Sequence, residues 1–415
     1  MASEIRVNTI NNRSGFGTIS ITDSGAVFSG VTTSSGGFSG NVTGNVTGDV
    51  NAGVVTATSS IVVGNSFINA TSIGIGTTDT TGRNAGVGTA VGTVIFNTDV
   101  GDGVAQIYTS SGWVDVGNNA GFSATGGDTV DTSSRPGFTV HTFTGPGSFE
   151  VTASSATVEY LVVAGGGAGG SDGGGGGGAG GFRTGTFPVS PGAYPVIVGG
   201  GGTRGASPYP ASGGGGAGGD SSFSIITSNG GGGGARLNPQ PATASDGGSG
   251  GGGAYTPNPG PAGDGNSPPT SPPQGNPGGP GLTLGANYAS GGGGGAGTSG
   301  TAAAHPTPNN PVGGPGGNGS PSSITGSDVT YAGGGGGASF NEASGPGPVT
   351  VGTGGPGGGG DGGSNTLTEP APLSVAAGNG TANTGGGGGG AGNRGQSDNS
   401  GLGGSGIVII AYPTA

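Results

Sequence analysis

The sequence has 415 residues, of which 115 are Gly and 29 are Pro, and only 7% are charged. Its length would allow two or three domains, but 29% hydrophobic and 5% aromatic residues cannot supply two ordinary hydrophobic cores. The net charge of −12 and the absence of Lys exclude the clustered basic surface that nucleic-acid binding requires.

This much Gly and Pro is typical of disordered or low-complexity chains, and disorder is the first alternative. Two observations favour an ordered protein instead: charged residues are scarce, and the apolar residues are bunched into strand-like runs. Ala apart, the strong helix formers are rare, and no segment has a clear helical period. The sequence therefore predicts an all-β fold.

The chain contains no Cys, which excludes a disulfide framework and a thiolate metal site. Its first residues, Met1–Val7, lack the apolar core of a signal peptide. No run approaches the roughly 18 apolar residues of a membrane span. We therefore expect a protein made in a reducing cytoplasm, without signal-peptide export or membrane insertion.

The N-terminal part reads as two β-regions. Residues 1–40 alternate polar and apolar side chains in short segments and form the predicted attachment region. Residues 41–85 form a predicted repetitive β-shaft, in which 41–50 reads Asn-Val-Thr-Gly twice and then Asp-Val. One chain cannot bury a single Val per tetrad, whereas three chains around a shared axis can. The shaft is therefore predicted to be trimeric.

Residues 86–120 predict a small β-meander domain, with strands at 92–98, 105–108 and 111–116. Trp113 is the only Trp of the chain, and we expect it to pack in a core or between subunits rather than to bind a ligand. Residues 121–136 are polar and are predicted to be a linker ending at Arg135-Pro136.

Residues 137–415 are predicted to form a glycine-rich tip domain, which begins with strands at 139–143 and 148–152. The segment at 157–164 runs straight into glycine, and the segment at 406–412 is continuously apolar, as expected of a strand that is covered on both faces. We predict that these two strands meet in one small sheet, which forms the base of the glycine region.

Runs of consecutive glycines recur through the tip domain. Ordering each glycine costs about 0.5–1 kcal/mol relative to Ala, and side-chain burial cannot offset that cost. Laterally packed polyglycine-II-type helices can, because their N–H and C=O groups point outward and can bond neighbours on all sides. Flexible linkers are the alternative. Against it, Tyr288 and Tyr331 start the same frame of Tyr-Ala, an optional Ser, five glycines and Ala, and are predicted to pack at equivalent positions.

The segments between the glycine runs share no pattern, and a rigid scaffold that projects unlike loops is a common way to build a recognition surface. Large side chains in these segments are the candidate receptor contacts. They are Arg204, Tyr209, Arg236, Tyr255, His305, Phe340 and Arg394. For each of them, internal packing or simple solvation is the alternative.

Glycine runs alternating with unlike loops resemble the distal tail-fibre adhesins of T-even-like phages, whose tips stack polyglycine II helices and bind host receptors through the loops. The opening Glu4–Ile10, the tetrads and the meander at 92–116 are similar to fibre proteins of tailed phages, those of marine cyanophages especially. In the T-even-like family the adhesin is a separate chain, whereas here it is fused to its shaft, so no receptor site is carried over.

Catalytic and cofactor motifs have little support. Without Lys there is no P-loop, and His141 and His305 lie in separate regions, which argues against a His-based triad or metal site. We predict no enzyme activity, no cofactor and no metal site. A carboxylate pair for glycan cleavage, as in depolymerising tailspikes, stays an alternative because spatial proximity cannot be read from the sequence.

Together these observations predict an all-β, fibrous homotrimer. Its β-shaft and meander would precede a glycine-rich domain of short strands and packed polyglycine-II-type helices. The predicted function is that of a phage virion fibre, attached to other virion proteins by its N-terminal region and binding a host-surface glycan or protein at its tip. The alternatives are a non-adhesive structural or decoration fibre of the head, neck or tail, and a low-complexity coat protein.

Overall fold

A computed structural model describes residues 77–414 of the chain apart from short gaps. The gaps are residues 87–88, 90, 100–102, 117–120, 205–213, 238–242, 256–259, 285–286, 308, 342–348, 367–373 and 393–399. All described residues belong to the second of two compact units, Gly74–Ala415. The predicted attachment region at 1–40, and the predicted shaft up to residue 76, lie outside the described residues.

The fold is nearly all-β, as predicted, and its strands form several small sheets. The first is a four-stranded sheet in the order β1-β2-β3-β4, and its last three strands are the predicted antiparallel meander. Its strands are β1 (Thr77–Thr78), β2 (Val94–Asn97), β3 (Val104–Thr109) and β4 (Gly112–Val116). Gly112 begins β4 with a φ of 110°, which a glycine adopts without strain.

A short helix, α1 (Thr80–Gly86), lies where the sequence predicted β-shaft, so that part of the prediction was wrong. Asp79 caps it: the carboxylate accepts the N–H of Gly82 at 2.5 Å, and the Asp79 carbonyl accepts the N–H of Arg83 at 2.9 Å. Seven residues are too few to produce a detectable helical period. Within the described part of the chain, no helix has the length and apolar content to cross a bilayer.

Two five-stranded sheets pack face to face and form a β-sandwich. The inner sheet has the order β10-β9-β23-β7-β6, and the outer sheet has the order β13-β12-β11-β8-β5. The inner strands are β6 (Thr129–Asp131), β7 (Phe138–Phe143), β9 (Ala156–Val163), β10 (Phe182–Val189) and β23 (Ile407–Pro413). The outer strands are β5 (Ser123–Thr125), β8 (Gly147–Ala153), β11 (Gly192–Ile197), β12 (Ser221–Phe223) and β13 (Ile226–Ser228).

The predicted pairing of the two apolar strands is confirmed: β9 and β23 are antiparallel neighbours, with Val163 opposite Ile407. Both faces of these strands are covered. On one face Val162 and Ile410 pack in the sandwich core, and on the other Leu161 packs in a second cluster that includes alanines of the glycine region. The inner sheet therefore serves as the base that the sequence predicted.

Residues 121–136 differ from the predicted linker, because they contain β5 and β6. Each adds an edge strand to the sandwich: β5 pairs with β8, and β6 pairs with β7. The rings of Phe122 and Tyr412 lie 4.6 Å apart in a T-shaped contact, which anchors this stretch to the core. Its other side chains are mostly polar, which is why its composition suggested a linker.

The predicted strands around the turn at 144–147 are present as β7 and β8, but they do not pair with each other. β7 belongs to the inner sheet and β8 to the outer sheet, so the turn crosses between the two. Asp128 holds it in place by accepting hydrogen bonds from the N–H and the hydroxyl of Thr144, each at 2.7 Å. These hydrogen bonds lower the pKa of Asp128 below its usual value.

The glycine segments pack as a lattice that is held together by backbone hydrogen bonds. In residues 164–170, N–H groups three residues apart donate to the same neighbouring segment, whereas successive N–H groups donate to different segments. The N–H groups of Gly165 and Ala168 donate to the carbonyls of Gly219 and Gly216, respectively. Those of Gly166 and Gly169 donate to Gly404 and Gly401, and those of Gly167 and Gly170 donate to Gly178 and Gly175. The N···O distances are 2.8–3.0 Å. A period of three with outward hydrogen bonds is that of packed polyglycine-II-type helices.

The carbonyl groups of the same segment bond to further neighbours. The carbonyls of Gly165 and Ala168 accept N–H groups from residues 230–235, that of Gly166 accepts one from 199–203, and those of Gly167 and Gly170 accept from 385–391. The segment is thus bonded to six neighbours, and all seven of its N–H groups and five of its seven carbonyls bond to backbone without side chains. At about 0.5–1.5 kcal/mol net per hydrogen bond, this bonding offsets the ordering cost of glycine.

Close packing leaves no room for side chains at most of these positions. A Cβ built on Gly165, Gly166 or Gly167 would overlap a backbone carbonyl oxygen of a neighbouring segment. None of the glycines at 165–170 has a positive φ, so the requirement for Gly there is steric rather than conformational. The glycine runs are the core of the domain and not linkers.

The segments run back and forth between the sandwich and an opposite end, called here the distal end. A third five-stranded sheet lies there, in the order β14-β15-β20-β21-β22. Its strands are β14 (Leu282–Leu284), β15 (Asn287–Ala289), β20 (Ser339–Asn341), β21 (Ser364–Thr366) and β22 (Ser374–Val375). Two hairpins complete the fold, β16 (Ala304–Thr307) with β17 (Asn310–Val312), and β18 (Ser320–Ser322) with β19 (Val329–Tyr331).

His141 on β7 is a buried polar group of the sandwich core. Its Nδ1 lies 2.6 Å from the carbonyl oxygen of Gly126, and its Nε2 lies 3.1 Å from the hydroxyl of Tyr412. The ring also packs edge-to-face against Phe149, with 5.2 Å between centroids. Burial lowers the pKa of His141 below 6.5, and this effect outweighs the hydrogen bond to Gly126, which acts in the opposite direction.

We expect Gly177→Ala to lower the free energy of unfolding by about 3 kcal/mol, because its Cβ would overlap the carbonyl oxygen of Gly167 in a buried position. The matched control is Gly200→Ala, where nothing lies within 4 Å of the added Cβ. It should change stability by less than about 1 kcal/mol. Urea denaturation measures both. Equal effects of the two substitutions would contradict the lattice.

We expect the free energy of unfolding to fall as the pH drops below about 6.5. The folded state keeps His141 neutral while the unfolded chain takes up a proton, with a limiting slope of about 1.4 kcal/mol per pH unit. Above about pH 7 this contribution is constant. Denaturation midpoints between pH 5 and 8 test it, with His141→Gln as the control. A variant that keeps the full slope of the wild type would show that another group is responsible.

Candidate functional site

Several chain connections of the lattice lie at the distal end. At the sandwich end Gly180 donates to Gly385, whereas at the distal end Ala391 donates to Gly170 and Ala338 donates to Gly174. Following this register, the described residues before the gaps that begin at 205, 238, 256, 342, 367 and 393 all lie at the distal end. Six of the unlike segments of the sequence therefore start from one end of the lattice.

Five of the seven candidate receptor contacts are described, and all five lie on distal parts of the fold. They are Arg204, Arg236, Tyr255, His305 and Phe340. Tyr209 and Arg394 lie outside the described residues. The sequence thus selected residues from one end of the molecule, although they are far apart in the chain.

Tyr255 and Phe340 are not surface groups, in contrast to the expectation from the sequence. Their side chains are 3% and 2% exposed. Both pack against Tyr288, whose ring lies 4.3 Å from that of Tyr255 and 5.8 Å from that of Phe340. Gly173, with a φ of +68°, makes room for Tyr255, because a Cβ there would overlap the ring. The alternative of internal packing therefore holds for these two residues.

The charged candidates divide between the interior and the surface. Arg236 is 3% exposed and does not offer its charge to solvent. Arg204 is exposed, and its guanidinium donates to the carbonyl of Ser400 at 2.6 Å and to the side chain of Asn379 at 3.3 Å. Arg204 therefore links the end of its own lattice segment to those that contain Ser400 and Asn379, and it still faces solvent.

His305 lies on the β16–β17 hairpin and is half-buried, with Nε2 3.4 Å from the carbonyl oxygen of Leu282. Of the described candidates, Arg204 and His305 are therefore the ones that a ligand at the distal end can reach.

Tyr288 and Tyr331 do not occupy equivalent surroundings. Tyr331 is 5% exposed and packs against the inner sheet, in the cluster that contains Leu161, and its burial raises the pKa of its hydroxyl. Tyr288 packs in the aromatic stack at the distal end. Both residues precede glycine segments, as the sequence frame indicates, but these segments enter the lattice from opposite ends.

A polar groove, called here the side groove, lies where the β18–β19 hairpin overhangs the edge of the inner sheet. Its volume is about 440 Å³. The floor comes from Glu159 on β9 and from Thr186, its partner on β10, together with Thr184. The wall is formed by residues 321–324 and Asp328. Because side chains two apart share a face of a strand, the floor lies on the face that also carries Leu161.

Arg135 fixes the floor of the groove to its wall. Its guanidinium donates to both carboxylate oxygens of Glu159, at 2.6 and 3.0 Å, and also to the carbonyl of Ile324 at 3.4 Å. The same group lies 3.6 Å from the centre of the Phe138 ring, a cation–π contact. This bidentate pair orients Glu159 within the groove.

Several polar side chains of the groove remain available. Among the described residues, the side chains of Thr184, Thr186, Ser323 and Asp328 form no hydrogen bond with the protein. A second cavity of about 280 Å³ shares Thr184 with the groove and extends it along β10 towards Ser271–Pro273. No group of three or more His, Asp or Glu side chains in the described parts of the chain is placed to hold a metal ion.

Sequence reasoning missed the side groove for a physical reason. Glu159 and Asp328 are separated by most of the glycine region, and only the packing of the β18–β19 hairpin beside β9 and β10 brings their neighbourhoods together. The segment at 320–331 also looks like any other polar connection in the sequence. One signal was present, since Glu159 interrupts an otherwise apolar strand.

Comparison with known proteins identifies the glycine-rich part. The model of a protein family described as a glycine-rich domain matches residues 139–413, which begin in β7 and end with β23. The match thus includes most of the sandwich, the whole lattice and the distal sheet. No curated protein matches the chain at a significant level.

Proposed function

Because the chain belongs to the glycine-rich domain family across residues 139–413, we propose that it is a virion fibre protein of a tailed phage and binds a host-surface receptor. The receptor would be a glycan or a protein. One observation carries the proposal: six of the unlike segments start from a single end of a backbone lattice that does not depend on their sequences. A rigid scaffold with variable segments at one end is suited to recognition.

The distal end would then be the receptor-binding end. Arg204 contributes an exposed cation that is already held in place by Ser400 and Asn379, so little side-chain entropy is lost when it binds. The region before residue 77 would attach the fibre to other virion proteins. In this proposal the protein acts in the virion by binding, without catalysis, cofactor or metal.

The meander supports the proposed homotrimer, because one face of its sheet carries two adjacent rows of apolar side chains. Ile107 on β3 pairs with Val94 on β2 and with Val114 on β4, so these three side chains form one row. Phe96, Ala105 and Val116 form the next row in the same way. Val94, Val114 and Val116 are 41%, 46% and 45% exposed. Such a face on a single chain is typical of an obligate contact between subunits.

The opposite face of the same sheet carries a polar hydrogen-bond network beside apolar side chains, and most of it is already covered. Gln106 accepts a hydrogen bond from Arg83 on α1 at 2.8 Å and donates one to Asp115 at 2.6 Å. The Asn97 side chain joins this network at 3.0 Å from Gln106. The sheet thus places its hydrogen-bonded polar groups inside the subunit and its apolar face outside. Three copies around an axis would bury that face, in agreement with the tetrads that precede it.

We expect the full-length chain to bind saturably to cells of its host. Replacing residues 205–213, which include Tyr209, by a Ser-Gly segment of equal length should weaken binding. Ile225→Ser, at an 81% exposed position of the sandwich, is the control and should bind like the wild type. Binding of a labelled chain to a panel of cyanobacteria measures this. No saturable binding to any host would favour the non-adhesive structural or decoration fibre.

We expect the chain to have three times its monomer mass of 37.7 kDa in solution. Val114→Glu should dissociate it, because it would bury an unpaired charge in an apolar contact. Val130→Glu is the matched control, since Val130 is 53% exposed on an edge strand of the sandwich. Sedimentation equilibrium measures all three proteins. A wild-type mass of one or two chains would contradict the trimer.

A further inference from the structure

We propose that the side groove, formed by the inner sheet and the β18–β19 hairpin, binds a neutral saccharide. The groove lies beside the sandwich, away from the distal end, so this site is additional to the receptor contacts proposed above. Its volume of about 440 Å³ falls in the range of small-ligand sites. The adjoining cavity of about 280 Å³ would hold a further sugar unit of the same chain.

The groove offers hydrogen-bonding groups of the kinds that sugar hydroxyls require. Asp328 provides carboxylate oxygens that accept, and Thr184, Thr186 and Ser323 provide hydroxyls that both donate and accept. These side chains are not used by the protein among its described residues, so a ligand does not have to displace existing bonds. Pro321 adds an apolar surface against which the C–H face of a pyranose ring can pack.

The charges of the groove determine which saccharides fit. Glu159 and Asp328 line it, and the cation beside it, Arg135, already donates to both oxygens of Glu159. Within the groove, a phosphorylated, sulfated or sialylated sugar would bring a negative charge close to Asp328 without a free cation among the lining residues. Arg183 lines only the adjoining cavity, where its guanidinium donates to the carbonyl of Thr227 at 3.0 Å. A neutral sugar avoids this repulsion and gains hydrogen bonds to charged acceptors, which are stronger than neutral ones.

The geometry favours a saccharide over an extended peptide. A peptide strand that adds to a sheet bonds to backbone groups along a strand edge. Here the floor is the face of the sheet, because Glu159 and Thr186 are cross-strand partners whose side chains point into the groove. Side-chain hydroxyls and carboxylates, rather than a row of backbone groups, therefore meet the ligand.

The test uses the full-length chain and an array of neutral and acidic oligosaccharides, followed by calorimetric titration with the best neutral ligand. Thr186→Val, which removes one hydroxyl and keeps the side-chain shape, should weaken binding, and Asp328→Ala should weaken it about tenfold or more. Glu150→Ala removes one charge at an exposed position of the outer sheet and should leave affinity unchanged. Thermal unfolding of each variant verifies that the fold is retained.

The outcomes separate this site from the distal end. Saccharide binding that survives replacement of residues 205–213 but is weakened by Asp328→Ala supports the side groove. Four results would overturn the proposal: no neutral saccharide binding at concentrations up to about 10 mM, a preference for acidic sugars, equal loss in Glu150→Ala and Asp328→Ala, or binding of extended peptides in place of sugars. Loss of host-cell binding alone would affect only the function proposed for the distal end.

Discussion

The whole glycine-rich domain depends on one interaction, the hydrogen bond between the backbone N–H of one glycine segment and the carbonyl of another. In an ordinary domain, apolar side chains separate the elements and backbone bonds stay within sheets and helices. Here successive residues of a segment such as 164–170 bond to different neighbours, and the absence of Cβ atoms at the glycines permits the approach. The interior is therefore polar and held by backbone hydrogen bonds, which explains how a domain with so few hydrophobic residues can be compact.

Glycine segments with identical backbones could pair in many registers. The inner sheet fixes the register of the first two segments. β9 continues into the segment at 164–170, and the segment at 400–406 continues into β23, so two neighbouring strands lead into two hydrogen-bonded lattice segments. Ala179 and Ala332 pack against Leu161 and join the lattice to the sheet by ordinary apolar contact. The sandwich is thus both a small hydrophobic domain and the template on which the lattice is ordered.

The sequence predicted the features that depend on local pattern or on steric exclusion: the meander, the β9–β23 pair and the packing of the glycine runs. It did not predict those that depend on a few long-range contacts. β5 and β6 are too short and polar to be recognised without their partners, and α1 is specified by one cap at Asp79. The sequence predicts Tyr255 and Phe340 as surface anchors, because no local pattern indicates that their rings stack on Tyr288. The side groove exists only once β9, β10 and the β18–β19 hairpin are assembled.

The three-residue period of the lattice has a consequence for how such a domain can change in length. Gly165 and Ala168 address the same neighbour, as do Gly166 and Gly169, so the pattern of partners repeats with every turn. Inserting three glycines into a segment adds one turn of about 9 Å and returns the following residue to its original direction. Inserting one or two rotates everything that follows towards the wrong neighbours. Repetitive glycine codons gain and lose triplets easily. Only changes of three codons, or nine nucleotides, keep the hydrogen-bond partners of the lattice in place.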